Sequence, residues 1–248
     1  MSILAKLKQE HRAADKQYIL VMGRSTSGKS TLGGTLPGKT LFLEVKGKEY
    51  GGQNAAAKAY SRGNVVDVVA LGSVKDFLDL AEELKADKDY DNVVIDSYSG
   101  LTFLVADEPE IEQVIVGKKG NSFHAFDKIR FDVAKVHKAF SALTYAATAV
   151  KPKNVVATVA FDVKLDGNGA SADLVIVQKG RASYQEYTRP APTIVTLTTK
   201  KDTGERVMLT SNNGIYLASV NALLDEQNPK IMEPDLAALL KLMNKETK

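Results

Sequence analysis

The chain has 248 residues, of which 44% are hydrophobic, and it carries a formal net charge of +3. This apolar content is ample for a buried core, whereas so small a positive charge does not by itself indicate nucleic-acid binding. Cysteine is absent, which excludes disulfides and thiolate metal sites and suits a reducing compartment. No signal pattern and no apolar run of roughly 20 residues occurs, so we expect a cytoplasmic protein without a membrane partner.

Histidine is scarce and scattered along the chain. His11, His124 and His137 lack the spacing of metal ligands. We therefore expect surface or interface positions for them and no zinc chemistry.

The first predicted element is a strand, the apolar run Tyr18 to Met22, that leads directly into a glycine-rich loop. Residues 23–30 match the pattern G-x-x-x-x-G-K-[ST]. With the residue that follows, nine residues are predicted to contact a nucleotide: Gly23, Arg24, Ser25, Thr26, Ser27, Gly28, Lys29, Ser30 and Thr31. Glycines in such a loop allow backbone N–H groups to converge on phosphate oxygens. Lys29 would span the β- and γ-phosphates, and the Ser30 hydroxyl would be a Mg²⁺ ligand. The sequence therefore predicts binding of ATP with Mg²⁺; the alternative is a plain Gly/Ser-rich turn before a helix.

Strands and helices alternate after this loop. The loop leads into a short helix that we predict to end at residue 36. Much later in the chain, an acidic stretch at 107–112 is predicted to be a solvated loop. The further predicted strands cover residues 40–45, 65–71, 92–96 and 154–159, and the predicted helices cover residues 54–60, 73–85 and 123 to about 150. Such alternation implies crossover connections and a parallel sheet, with ligands at the carboxyl ends of the strands.

The last third of the chain changes character. Strands predicted at 174–178, 194–199 and 206–210 have no long helices between them, and Asp202-Thr203-Gly204 forms a hairpin turn. Pro234 marks the start of a short C-terminal helix. We therefore predict an α/β fold of one domain over residues 1–248. Its core covers about 16–210, an antiparallel extension continues the sheet, and a helical tail covers 211–248.

Four further residues are candidates for chemistry at the carboxyl ends of these strands. Asp96 ends a short buried strand, where its carboxylate could support the metal; the alternative is a cap on the turn that follows. Glu44 and Glu49, around the loop after the second strand, are the candidates to orient the attacking water, and the sequence does not choose between them. Thr158 is the candidate sensor of the γ-phosphate, with simple packing in a strand as the alternative.

Taken in order, the strand 19–21, the loop 23–31, the strand 41–44 and the strand 93–97 resemble the RecA-type ATPase core over roughly residues 16 to 210. More narrowly, they resemble phage-encoded RecA-like nucleotide-binding proteins, some of which anneal single-stranded DNA. The chain departs from that pattern at Lys46, where the family tends to have a glutamate. It departs again at Val159 and Ala160, where the family tends to have a histidine or glutamine sensor. The resemblance thus implies nucleotide binding with slow hydrolysis.

The same resemblance implies a homo-oligomer that stacks head to tail with ATP at the interface. Lys179 and Arg181 are the candidates to complete a neighbour's site. Single-stranded DNA would be contacted by interleaved basic and aromatic residues, namely Arg181, Tyr184, Tyr187 and Arg189.

The leading functional hypothesis is an ATPase that acts on single-stranded DNA in recombination or annealing. A nucleotide-gated binding module with little turnover is the second hypothesis. A small-molecule kinase is the third, and it would need an arginine-rich lid, for which residues 118–130 are the only candidate segment.

Overall fold

The computed structural model describes residues 16–47, 51–115, 117, 122–165, 172–176, 193–200, 202–211, 218–220 and 231–245. Within these ranges the strands are β1 (Tyr18–Gly23), β2 (Lys39–Val45), β3 (Val65–Leu71), β4 (Asn92–Asp96), β5 (Asn154–Leu165), β6 (Ala172–Ile176), β7 (Thr193–Thr199), β8 (Arg206–Leu209), β9 (Ser219–Val220) and β10 (Ile231–Met232). The helices are α1 (Lys29–Gly33), α2 (Gly52–Tyr60), α3 (Val74–Ala86), α4 (Tyr98–Ala106), α5 (Pro109–Ile115), α6 (Ser122–Ser141), a 3₁₀ turn (Ala142–Thr144) and α7 (Leu236–Lys245).

The strands form one mixed sheet in the order β10-β8-β7-β1-β5-β4-β2-β3, with β6 paired to β5 and β9 paired to β7. The pairs from β7 through β1, β5, β4 and β2 to β3 are parallel. Strands β6, β8, β9 and β10 pair antiparallel to their neighbours. The predicted α/β fold with an antiparallel C-terminal extension is confirmed, although β7 itself runs parallel to β1.

Helices cover both faces of this sheet, so its central strands are apolar throughout. In β1, Ile19 and Val21 pack on one face against α1, α2 and α7, while Leu20 and Met22 pack on the other against α3, α4 and α6. A strand buried on both faces carries continuous rather than alternating hydrophobicity, which explains the uninterrupted apolar runs of β1 and β4. The two layers of helices fix β1, β5 and β4 side by side, so their carboxyl ends meet at one edge.

Local signals placed several elements correctly. Helix α3 begins after Ser73, whose Oγ accepts from Asp76 N at 3.1 Å, as expected for a capping serine. The turn between β7 and β8 contains Gly204 at φ 68°, in the left-handed region that glycine favours. Among the described helices, none combines the length and the apolar composition that a bilayer crossing requires.

Three helix predictions need correction. Helix α6 ends at Ser141, not near 150, because the carbonyls of Leu143 and Thr144 accept from the backbone at the starts of β5 and β1 instead. Helix α1 ends at Gly33, before residue 36. Helix α7 starts at Leu236, two residues after Pro234, because the Asp235 carboxylate caps it by accepting from Ala238 N at 3.1 Å.

The prediction of a loop over the whole acidic stretch 107–112 is wrong, because α5 starts at Pro109. Proline is favoured in the first turn of a helix, and Glu110 and Glu112 lie where the helix dipole stabilises negative charge. Ile111 is buried against α4 and α6, which anchors the helix to the rest of the fold. Helix α4 was also missed, because it follows β4 directly and carries no amphipathic pattern.

The prediction for His137 is wrong, because this side chain is only 5% exposed. Its Nδ1 lies 2.6 Å from the Tyr18 hydroxyl, which lies 2.6 Å from the Tyr98 hydroxyl. Burial lowers the pKa of His137 to about 4, so the imidazole is neutral near pH 7. His124 is exposed as predicted, and His11 lies outside the described residues.

Candidate nucleotide site

The glycine-rich loop connects β1 to α1 in a conformation that few residue types adopt. Gly28 precedes the helix at φ 97°, and Thr26 adopts φ 66° although it is not a glycine. Such a residue costs of order 1–3 kcal/mol and persists where the surrounding fold imposes it. Successive N–H groups in a turn of this kind form a concavity that binds anions.

Two observations on this loop fit a phosphate group. The Lys29 ammonium donates to the carbonyls of Gly23 at 3.0 Å and Arg24 at 2.9 Å, so it lies against the loop itself. The Ser27 hydroxyl is buried and has no hydrogen-bond partner among the described residues. A Cβ at Gly23 would lie 2.4 Å from that hydroxyl, so only glycine leaves this space open. An unpaired buried donor is costly, and a phosphate oxygen would satisfy it.

Asp96, Ser30 and Thr158, which we call the Asp96 cluster, meet where β4, α1 and β5 converge. Ser30 Oγ donates to Asp96 Oδ2 at 2.6 Å, and Thr158 Oγ1 donates to Asp96 Oδ1. Asp96 is only 2% exposed. Strand β5 lies between β1 and β4, which brings Thr158 beside the carboxylate.

The alternative interpretation of Asp96 as a helix cap does not hold. The cap of α4 is Ser97, whose Oγ accepts from Gly100 N at 2.9 Å. Both Asp96 oxygens are instead bonded to the hydroxyls of Ser30 and Thr158. The carboxylate therefore belongs to the edge of the sheet that carries the glycine-rich loop.

Glu44 lies at the same edge. It is the second-last residue of β2 and lies directly opposite Asp96 in the register of the β2–β4 pair, and its Oε1 accepts from Gly52 N at 2.6 Å. Glu49 lies outside the described residues, so the structure says nothing of this second candidate. Lys46 is exposed at the end of β2.

Gly51 contributes to this site in a way that the sequence did not indicate. A Cβ there would lie 2.1 Å from Ser30 Oγ and 2.5 Å from Asp96 Oδ2. The backbone before α2 therefore packs directly on the pair that would support a metal ion. Only the absence of a side chain permits this approach.

The donor set suits magnesium better than a metal held by protein alone. Within the described ranges, no group of three or more His, Asp or Glu side chains could hold a metal ion. Magnesium commonly keeps several waters and takes one or two protein oxygens together with phosphate oxygens of a bound nucleotide. Ser30 and Asp96 offer that smaller set.

Other predicted residues lie around or beyond this edge. Arg24 pairs with Asp162 at 3.2 Å, both largely exposed, and Thr31 faces a cavity beside α1. All five candidates for trans or DNA contacts lie outside the described residues: Lys179, Arg181, Tyr184, Tyr187 and Arg189. In the segment considered as a kinase lid, Lys128 and Arg130 lie on α6 and pair with Asp132 and Asp127.

Arg206 also lies at this site, although no feature of the sequence pointed to it. It starts β8, and its Nη2 donates to Thr26 O at 3.4 Å. Its Nη1 lies 3.3 Å from the position that a Cβ on Gly28 would take. No local motif marks this arginine, because the contact is made only when β8 pairs beside β7.

Fold and site together define a P-loop NTPase. A family model described as AAA domain matches residues 15–218, so the chain belongs to that family of AAA-type P-loop proteins. A comparison with curated proteins found no significant match.

Proposed function

We propose that this protein binds ATP with Mg²⁺ and hydrolyses it to ADP and phosphate. The observation that carries the proposal is the Asp96 cluster, built beside a loop that holds a lysine and an unpartnered buried hydroxyl. Membership of the AAA domain family supports nucleotide binding and ATPase activity in general. The assignment of individual residues rests on the geometry described above.

Phosphate binding falls to the loop. The backbone N–H groups of residues 23–31 would cradle the phosphates, with the Ser27 hydroxyl as an added donor. Lys29 would exchange its two carbonyl acceptors for phosphate oxygens, which are stronger partners because they are charged.

Metal support falls to Ser30 and Asp96. A bound Mg²⁺ neutralises negative charge that develops on the transferred phosphoryl group. Ser30 Oγ would ligate the ion, and the Asp96 carboxylate would hold Ser30 and metal-bound water in place. Thr158 keeps one Asp96 oxygen engaged, so the carboxylate has a fixed orientation.

Glu44 is the better-supported candidate to orient the attacking water. Its carboxylate lies at the same sheet edge as Asp96, one strand away. Glu49 remains an alternative. The bond between Glu44 and Gly52 N favours a second possibility, a nucleotide-gated binding module with little turnover, because a carboxylate engaged in this way has one fewer acceptor for water.

Nucleotide binding is tested first. Isothermal titration with ATP and Mg²⁺ should show binding by the wild type and no measurable binding by Lys29→Ala. Lys46→Ala is the matched control, because it removes an exposed lysine at the end of β2. Equal ATP affinity in Lys29→Ala and wild type would contradict the central assignment.

Phosphate release then separates the two forms of the proposal. Glu44→Gln should bind ATP with wild-type affinity and release phosphate about 10²-fold more slowly, since a positioned base contributes roughly 10²–10⁴-fold. Glu49→Gln serves as the comparison, and a loss confined to Glu49→Gln would assign the role to that residue. A wild type that binds ATP without releasing phosphate would be the gated module.

We further propose that residues 1–248 form one RecA-like domain that oligomerises and acts on single-stranded DNA in recombination or annealing. The resemblance to phage-encoded RecA-like proteins supports this proposal, as does the basic and aromatic segment that contains Arg181, Tyr184 and Tyr187. Gel filtration with ATP should show a size increase on addition of an oligonucleotide. An unchanged elution volume and no retention of a labelled oligonucleotide would contradict it.

A further inference from the structure

Arg206 contacts the glycine-rich loop of residues 23–31, which we call the phosphate loop. It lies in a part of the chain that no nucleotide-binding motif covers. The residue is exposed, and its Nη2 donates to Thr26 O at the long distance of 3.4 Å. Its Nη1 lies beside Gly28, 3.3 Å from the position of an added Cβ. A guanidinium has five N–H donors, so within the described part of the chain this weak contact leaves most of its hydrogen-bonding capacity unused.

The charge of Arg206 has no carboxylate partner among the described residues. The other described arginines have one: Arg24 pairs with Asp162, Arg62 with Asp235 and Arg130 with Asp127. Glu205, the neighbour of Arg206, pairs with Lys200 at 2.7 Å instead. The planar fork of arginine matches phosphate oxygens well, and here it lies against a loop that binds phosphate.

Arg206 lies on the side of the loop away from the Asp96 cluster. Ser30 faces Asp96 and Gly51, whereas the next residue, Thr31, is turned by about 100° around α1 and faces a different cavity. In a P-loop the lysine and the metal-binding hydroxyl take the β- and γ-phosphates. A nucleotide held in this way would have its nucleoside on the other side of the loop, the side that carries Arg206 and Thr31.

A cavity of about 340 Å³ opens on that side. Its walls come from the loop and α1, from α2, from the start of β8 and from the segment before α7. The residues with polar or charged groups that border it include Thr31, Lys58, Arg62, Arg206 and Glu233. Ligand cavities start at about this volume and combine such polar groups with apolar surface.

We propose that this cavity receives the ribose and base of the bound nucleotide, and that Arg206 donates to phosphate oxygens at its entrance. The proposal rests on the nucleotide-binding function proposed above and assigns the nucleoside end of that site. Arg206 comes from the same chain as the phosphate loop. Nucleotide binding would therefore also hold the β7–β8 hairpin against the loop.

The first test measures affinities for ATP, ADP and inorganic tripolyphosphate by titration calorimetry. Arg206→Ala should weaken all three by about tenfold to a hundredfold, the range for hydrogen bonds to charged groups. Arg206→Lys should recover part of the loss, because it keeps the charge without the fork. Arg130→Ala is the control. It removes an arginine on α6 that borders neither the loop nor the cavity, so this variant should bind as the wild type does.

Thermal unfolding without ligand distinguishes binding from a structural role. Arg206→Ala should unfold at the wild-type temperature when no nucleotide is present and show a smaller rise when ADP is added. Wild-type affinities in Arg206→Ala would overturn the role of Arg206. So would an unfolding temperature that falls as much without ligand as it does with ADP. Failure of the wild type to bind any of the three ligands would instead overturn the proposed function.

The second test locates the nucleoside, using the fact that the chain contains no tryptophan. Glu233→Trp places a single fluorophore at the proposed cavity, and Thr199→Trp places one at the neighbouring cavity of about 630 Å³ that Arg206 also borders. ADP should change the emission of Glu233→Trp more than that of Thr199→Trp, and tripolyphosphate should change neither by as much. An equal or larger ADP response from Thr199→Trp would overturn the assignment of the cavity.

Discussion

The Asp96 cluster and a second group of polar side chains inside this protein differ in what surrounds them. The Asp96 cluster joins a carboxylate to the hydroxyls of Ser30 and Thr158. Tyr18, Tyr98 and His137, which we call the His137 cluster, are joined by bonds of 2.6 Å. All of these residues except the partly exposed Ser30 are buried, yet only the Asp96 cluster borders the phosphate loop. The His137 cluster is enclosed by the apolar layer between the sheet and α6.

The physical difference lies in charge. Burial lowers the pKa of His137 to about 4 and raises the pKa of Tyr18 well above its usual range, so this cluster is neutral near pH 7. Its two hydroxyls and the imidazole bond to one another inside the apolar layer, and they bring no charge to the edge of the sheet that carries the glycine-rich loop. Burial of polar side chains therefore does not by itself indicate a functional site here. A carboxylate beside an anion-binding loop does.

The largest effect is expected from the Asp96 cluster. Asp96→Asn keeps the shape of the side chain but removes its charge, so Mg²⁺-dependent phosphate release should fall about 10²- to 10³-fold. Thr158→Val should cause a smaller loss, because it frees one carboxylate oxygen without removing the charge. Phosphate release measured over a range of Mg²⁺ checks both, and full turnover by Asp96→Asn would reduce this cluster to a structural one.

The His137 cluster should affect stability with pH instead. Unfolded histidine takes up a proton near pH 6.5, while folded His137 does so only near pH 4, so the unfolded state binds more protons between these values. The free energy of unfolding should therefore fall as pH falls from 6.5 to 4, by about 3 kcal/mol from this group. Urea titrations should show a shallower pH dependence for His137→Asn.

His124→Asn is the matched control for that measurement, because His124 is exposed on the same helix. Its pH dependence should follow the wild type over the same interval. A His137→Asn curve that runs parallel to the wild-type curve would show that His137 does not set the slope.

Gly51 tests how closely the chain must approach the Asp96 cluster. Gly51→Ala would place a methyl group within 2.5 Å of Ser30 and Asp96, so the affinity for nucleotide with Mg²⁺ should fall about tenfold as the loop is displaced. Gly72→Ala is the control, since its nearest neighbour would lie at 3.5 Å, an ordinary contact. Calorimetry on both variants compares them, and equal affinities would mean that the loop can shift freely.

The smallest effect is expected from Tyr18→Phe. Removal of this hydroxyl leaves Tyr98 and His137 without their shared partner, which should lower the free energy of unfolding by about 1–2 kcal/mol. ATP affinity should not change, because the cluster lies away from the phosphate loop. Tyr145→Phe, at a partly exposed tyrosine, should leave both quantities unchanged, and a loss of ATP affinity in Tyr18→Phe would link the two clusters.

Local chemistry made much of the fold predictable. Strands β3 and β4 have the predicted bounds, because a run of β-branched and apolar residues between polar turn residues is typical of a strand. The cap at Ser73 and the hairpin before Arg206 follow from the hydrogen bonds and backbone angles that those residue types favour. The end of α6 was missed because a 3₁₀ turn follows it, and the carbonyls of Leu143 and Thr144 in that turn accept from Lys153 N and Lys16 N, just before β5 and β1.

The sequence by itself determined the phosphate loop. The glycines, the lysine and the serine that the loop needs lie within residues 23–30, so their spacing along the chain sets their positions in space. Only the tertiary structure decided what surrounds that loop. Thr26 and Arg206 lie 180 positions apart, and Ser30 and Asp96 lie 66 apart. Contacts over such separations depend on which strands become neighbours in the sheet, and that choice is made by burial of the whole core rather than by any short motif.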